Sequence, residues 1–98
     1  MNSIITRAAS ILREMFPDGF VSPVAFRIRN SGCITLGPDG VFEGEGEHRH
    51  DLAVTADAET FVGILEGGLD PAAMYLSGRL GVEGEMSLAM QLLRRLKC

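Results

Sequence analysis

The chain has 98 residues, of which 46% are hydrophobic and 22% charged, and its formal net charge is −4. This length suits one domain with a single core, so residues 1–98 are predicted to form one unit. The acidic balance argues against nucleic acid as a partner, because nucleic-acid-binding domains present a basic face. No apolar run reaches the about 20 residues of a membrane span, and the N-terminus lacks a signal-peptide pattern. The sequence therefore predicts no stable membrane insertion and a cytoplasmic location.

The N-terminal half predicts one helix followed by short strands. Apolar residues recur at helical spacing over residues 3–16. Alternation of apolar and other residues predicts a strand over 24–29, and a Gly-containing turn leads to a second strand over 33–36. A third strand is predicted at 43–47, where glutamate and glycine alternate, and a fourth around 52–54.

The C-terminal half predicts two capped helices, a strand and a final helix. Asp57 is the expected N-cap of a helix that ends near Glu66, and Asp70-Pro71 starts a short helix that runs through Tyr75. Leu80 and Val82 mark a fifth strand, and the last helix covers residues 86–97. The predicted fold class is α+β, with about five strands in a mostly antiparallel sheet and helices packed on one face. Short connections within residues 22–55 favour hairpins over βαβ crossovers.

The last helix has an unusually wide apolar surface. A helix packed on one core needs an apolar arc of about 100°, whereas this helix presents roughly 200°. The excess predicts a second apolar partner, which is a ligand, another subunit or a membrane surface; the alternative is that both sides pack against protein. Arg94, Arg95 and Lys97 complement the helix dipole, and anionic lipid headgroups are an alternative partner for them. The apolar positions are Met86, Leu88, Ala89, Met90, Leu92, Leu93 and Leu96.

Residues suited to catalysis or metal binding are sparse. His48 and His50 lack convincing third and fourth ligands, so a solvated loop is predicted there rather than a metal site. Nothing local activates Cys33 as a nucleophile, and Gly44-x-Gly46 is not a dinucleotide fingerprint. We therefore expect no enzyme, no catalytic residue, no metal and no cofactor.

An ordered set of residues from Asp57 to Leu93 resembles the sterol carrier protein type 2 family. The set comprises Asp57, Phe61, Leu65, Gly67, Leu69-Asp70-Pro71, Tyr75, Ser77-Gly78-Arg79-Leu80, Val82-Glu83-Gly84-Glu85-Met86 and Leu88-Ala89-Met90. The resemblance implies a sheet-and-helix fold that encloses an apolar cavity or tunnel. It also implies non-catalytic binding and carriage of a sterol, fatty acid, acyl or isoprenoid chain. Leu96-Lys97-Cys98 is not the peroxisomal targeting tripeptide that some relatives carry, so a peroxisomal role is not supported.

The predicted partner is thus a lipid or another apolar small molecule, with a homodimer or an acceptor protein as further partners. The alternative function is a dimerisation or accessory module that binds a partner protein through its C-terminal helix. The candidate lipid-binding residues come from the two middle helices, the fifth strand and the last helix; each could instead be ordinary core. They are Phe61, Ile64, Leu65, Met74, Tyr75, Leu80, Val82, Met86, Ala89, Met90 and Leu93.

Overall fold

In a computed structural model, residues 3–44 and 50–97 are described, and they form four helices and five strands. The order along the chain is α1 (Ser3–Met15), β1 (Val24–Arg29), β2 (Gly32–Gly37), β3 (Gly40–Glu43), β4 (Leu52–Asp57), α2 (Ala58–Leu65), α3 (Pro71–Leu76), β5 (Gly81–Gly84) and α4 (Met86–Lys97).

The third strand lies earlier than predicted. Gly37 pairs with Gly40, so β2 turns back into β3 through a two-residue connection. Gly40 adopts a φ of 120°, which glycine accepts without side-chain clash and which permits this tight turn. The prediction at 43–47 therefore placed the start of this strand too late: β3 spans Gly40–Glu43, and residues 45–47 of the predicted strand lie outside the described part of the chain.

The five strands form one sheet in the order β3-β2-β1-β4-β5. The pairs β1–β2, β2–β3 and β4–β5 are antiparallel, which confirms the mostly antiparallel sheet. The pair β1–β4 is parallel, with Val24 beside Leu52. The preference for hairpins is thus correct for the first three strands and wrong for the connection from β3 to β4, which places β4 on the other side of β1.

Alternate residues of the sheet face the helices and form one side of the core. Phe26 lies between Ile34 of β2 and Val54 of β4 in the sheet register, and all three are buried. The neighbouring residue Arg27 is exposed, as period-two alternation requires. Helix α1 contacts β2 and β3, α2 contacts β1 and β4, and α4 contacts β5. The helices therefore supply the other side of this core.

The core between the sheet and the helices is filled by large side chains. The ring of Phe26 packs against Phe61 of α2, with centroids 5.2 Å apart. Leu12 of α1 and Leu92 of α4 are almost fully buried in the same cluster. An ion pair between Arg7 and Glu66 adds a surface link from α1 to the end of α2.

Helix caps position the middle of the chain. The Asp57 side chain accepts a hydrogen bond from the Thr60 N–H at 2.7 Å, which defines the start of α2. The Asp70 side chain accepts from the Ala72 N–H, and Pro71 occupies the first turn of α3. Both predicted caps are confirmed.

In the described ranges, no helix combines the length and the apolar character needed to cross a bilayer.

Candidate functional site

Helix α4 has two apolar stripes, of which only one is buried in the core. Ala89, Leu92 and Leu96 face the core, and each is at most 5% exposed. Met86 and Met90, four residues apart and so on one face of the helix, are 55% and 52% exposed. Leu93 lies half-buried one turn further on. The wide apolar arc of the sequence therefore corresponds to a core stripe and an outer stripe that the described protein does not cover.

A groove between α3 and α4 borders the outer stripe; we call it the α3–α4 groove. Its volume is about 240 Å³. Apolar atoms make up most of its surface. Its lining includes one acidic side chain, Asp70, and one basic side chain, Arg94. Its lining residues are Asp70, Pro71, Ala72, Met90, Leu93 and Arg94.

A second groove lies on the other flank of α4, against the loop between α1 and β1; we call it the loop–α4 groove. Its volume is about 360 Å³. Arg94 borders both grooves, so the two form adjacent parts of one surface. The lining residues of the loop–α4 groove are Phe20, Val21, Gln91, Arg94 and Arg95.

Arg95 fixes the last turns of α4 to the end of α1. Its Nη2 donates a hydrogen bond to the carbonyl oxygen of Met15 at 3.2 Å, and its guanidinium lies 4.5 Å from the centroid of the Phe16 ring. Phe16 in turn packs edge-to-face on Phe20, with centroids 5.9 Å apart. A cation at the C-terminal carbonyls of a helix is favourable, and a cation over an aromatic face adds to it. The sequence interpretation, in which Arg95 serves the dipole of its own helix, missed this contact with α1.

The predicted lipid-binding residues fall into three groups by exposure. Five are buried: Phe61, Ile64, Leu65, Leu80 and Ala89. Met74, Val82 and Leu93 are half-buried and pack against the core. Tyr75, Met86 and Met90 are exposed.

The grooves described above bring together only two of these predicted residues, Met90 and Leu93. Phe20, Val21 and Gln91 also lie on this surface, although they are not among the predicted lipid-binding residues. Phe20 and Val21 follow the end of α1 and belong to no periodic pattern, so nothing local marks them. Val21 is 65% exposed whereas Phe20 is buried, and their position becomes informative only when α4 packs beside them.

A third groove, about 350 Å³ in volume, lies at the opposite end of the sheet near the start of α1. Its lining is mixed, and Thr6 Oγ1 donates a hydrogen bond to Glu43 Oε1 across it at 3.2 Å. The residues that line it are Ile5, Thr6, Ser31, Gly32, Cys33, Glu43 and Gly44.

The pKa of Asp57 is set by contacts within the fold. The hydrogen bond from the Thr60 N–H lowers the pKa of Asp57 below its ordinary value, and the charges of Arg79 and Arg29 act in the same direction. Within residues 3–44 and 50–97, no three His, Cys, Asp or Glu side chains are grouped so that they could hold a metal ion. His50 is exposed, and the predicted loop residue His48 lies outside the described part.

The sheet and the helices together define a small α+β domain. The chain belongs to the SCP-2 sterol transfer family, whose model matches residues 20–97. This confirms the resemblance that residues 57–93 carry. Over 56 residues, or 57% of this chain, it is 32% identical to a hydroxysteroid dehydrogenase-like protein 2 from Xenopus tropicalis. The matched segment is only 13% of that longer protein.

Two solved structures share the whole fold. The sterol carrier protein domain 2 of Helicoverpa armigera superposes with a TM-score of 0.78 at 22% identity, over 96% of this chain and 88% of that one. A palmitated SCP2L2 from Aedes aegypti gives a TM-score of 0.70 at 20% identity, over 98% and 93% of the two chains. The α+β class with its five-stranded sheet is therefore the fold of this family.

Proposed function

We propose that this domain binds the apolar part of a lipid along α4 and carries it without making or breaking a covalent bond. The observation that supports the proposal most directly is the outer stripe of α4. Met86 and Met90 expose more than half of their surface beside the α3–α4 groove. Large apolar side chains that remain exposed together mark a surface that meets an apolar partner.

The distribution of exposed apolar side chains supports the same surface. Five of the six large apolar residues that are exposed in the described part lie in the α1–β1 loop, α3 or α4. Methionine adapts to ligands of different shape, because its side chain is unbranched and polarizable. The five are Val21, Tyr75, Leu76, Met86 and Met90.

The predicted lipid-binding residues take distinct roles in this proposal. Met90 and Leu93 contact the ligand in the groove, and Met86 and Tyr75 extend the contact along the surface. The half-buried Met74 and Val82 move aside when a longer chain enters. The buried members, Phe61, Ile64, Leu65, Leu80 and Ala89, form the wall behind the ligand.

The expected affinity is moderate. Each methylene removed from water contributes about 0.8 kcal/mol, so ten of them contribute about 8 kcal/mol before ordering costs are subtracted. Dissociation constants in the micromolar to millimolar range follow for a medium-length chain. Family membership supports a lipid ligand, and the mosquito relative is palmitated in its solved structure.

The test is native mass spectrometry of freshly purified protein, followed by solvent extraction and titration with a fluorescent fatty acid. We expect a co-purifying or added lipid to bind at one per chain. Met90→Glu places a charge in the α3–α4 groove and weakens binding by about 10-fold or more. Phe42→Glu is the matched control, because Phe42 is 50% exposed on β3, away from this groove. Absence of saturable binding, or equal loss in both variants, would contradict the proposal.

A second function uses the same stripe as a protein interface, so that α4 packs on a second copy or on an acceptor protein. Leu76, which is 83% exposed at the end of α3, favours a larger partner than a single lipid chain. The two functions differ in the mass of the particle in solution. A dimer in light scattering that Met90→Glu converts to a monomer would favour the interface, whereas a monomer with bound lipid favours carriage.

A further inference from the structure

The loop–α4 groove differs in charge from the α3–α4 groove beside it, although apolar atoms make up most of the surface of both. Two arginines and one glutamine line it, and its described lining contains no carboxylate. The α3–α4 groove, by contrast, includes Asp70. A cationic groove of this kind is notable in a chain whose formal net charge is −4. A ligand group of negative charge would be attracted to these two guanidinium groups although the chain as a whole is acidic.

The guanidinium of Arg95 is held in a defined orientation. One of its nitrogens donates to the Met15 carbonyl, and the Phe16 ring supports its face. An arginine side chain has five N–H donors, so most of them remain available after this one hydrogen bond. A guanidinium that is already oriented loses less conformational freedom when it binds an anion.

Arg94 connects this cationic groove with the apolar one. It borders both grooves, and Met90 and Leu93 lie on the apolar side of it. An amphiphile placed across Arg94 would therefore put its chain on the α3–α4 side and its head on the loop–α4 side. Val21, which is 65% exposed, provides apolar contact next to the head, and the buried Phe20 lies behind it.

We propose that the loop–α4 groove recognises the anionic head of the carried lipid, so that the domain selects carboxylate or phosphate amphiphiles over neutral lipids such as alcohols and sterols. This inference rests on the proposed lipid-carrying function. The head accepts hydrogen bonds from the Arg94 and Arg95 guanidinium groups and from the Gln91 amide. Such charge-assisted hydrogen bonds are about twice as strong as neutral ones.

The test compares palmitate with hexadecanol, which have the same chain length and differ in the charge of the head. Displacement of a neutral fluorescent lipid reports both affinities at low salt. We expect palmitate to bind about 10-fold more tightly than hexadecanol. Added salt should weaken the binding of palmitate and leave that of hexadecanol nearly unchanged, because salt screens exposed charges.

Arg94→Gln should remove most of the preference for palmitate, and Arg94→Lys should restore part of it through its charge. Arg27→Gln is the matched control, because Arg27 is an exposed arginine of β1 whose neighbour Phe26 points into the core. Circular dichroism of each variant establishes that the fold is retained. Arg95 is left unchanged in this test, because it also joins α4 to α1.

The outcomes separate the two proposals. Equal affinity for palmitate and hexadecanol overturns the head-recognition proposal and leaves lipid carriage intact. If neither ligand displaces the reporter and the reporter itself does not bind, both proposals fail. Inorganic phosphate serves as a further competitor. If it displaces bound palmitate as effectively as added palmitate does, the groove binds free anions, and its role as a lipid-head site is overturned.

Discussion

Arg95→Gln tests whether α4 is held to α1 through one side chain. The substitution removes the guanidinium that donates to the Met15 carbonyl and covers the Phe16 ring. A hydrogen bond contributes about 0.5–1.5 kcal/mol, and a cation–π contact at an exposed site about 0.5–1 kcal/mol. Because Arg95 is exposed, solvent reduces both contributions, and we expect the free energy of unfolding to fall by about 0.5–1.5 kcal/mol.

Urea unfolding followed by circular dichroism measures this change, and thermal unfolding gives an independent value. For a domain of about 100 residues, a loss of 1 kcal/mol lowers Tm by about 4–8 °C. Arg95→Lys should lie between the wild type and Arg95→Gln, because lysine keeps the charge and loses the planar group that covers the ring. Arg27→Gln, at an exposed position on β1, should change the free energy of unfolding by less than about 0.5 kcal/mol. A stabilising link from Arg95 to α1 is refuted if Arg95→Gln unfolds like the wild type or if Arg27→Gln is equally destabilised.

Two further substitutions test local features of the fold. Asp57→Ala removes the acceptor for the Thr60 N–H and should lower the free energy of unfolding by about 1 kcal/mol at pH 7. Because the folded-state pKa of Asp57 lies below its ordinary value of 3.8, this stabilisation is present above that pH and is lost as the pH falls through the folded-state pKa. The gap in urea stability between wild type and variant should therefore be smaller at pH 3 than at pH 7; an unchanged gap would contradict the charge-based cap. Gly84→Ala adds a Cβ at a φ of 131° against the Asp51 carbonyl and should cost about 2–4 kcal/mol by urea unfolding. Gly40→Ala, at a φ of 120° with open space around it, should cost only about 1–2 kcal/mol, and equal losses would show that crowding is not the cause.

Much of the fold follows from short-range signals in the sequence. The apolar spacing of residues 3–16 predicted α1, and Asp57 and Asp70-Pro71 predicted the starts of α2 and α3, because a cap acts on amides two or three residues away. The parallel pairing of β1 with β4 could not be predicted in this way. Neither strand contains a local feature that selects its partner, and β2 and β3 lie between the two strands in the sequence.

The candidate site was likewise predicted in part from local sequence signals, and the rest of it depends on the tertiary fold. The roughly 200° apolar arc of α4 predicted a second contact surface, and its outer stripe is exposed in the structure. The loop–α4 groove depends on Phe20 and Val21, which come close to α4 only through the tertiary fold. The contact of Arg95 with Met15 joins residues 80 positions apart, so no spacing rule could reveal it.

The parallel β1–β4 ladder also has a consequence for how the chain reaches its native state. Val24 pairs with Leu52, so the central strand β1 and its neighbour β4 come from parts of the chain that are separated in sequence by β2 and β3. Closing that loop costs entropy before the central contacts form, and topologies with such distant pairings reach the native state slowly. The β1-β2-β3 meander and the β4–α4 segment would each expose an unpaired strand edge until they meet. Association of those edges between chains competes with native pairing, so refolding yield should fall as protein concentration rises.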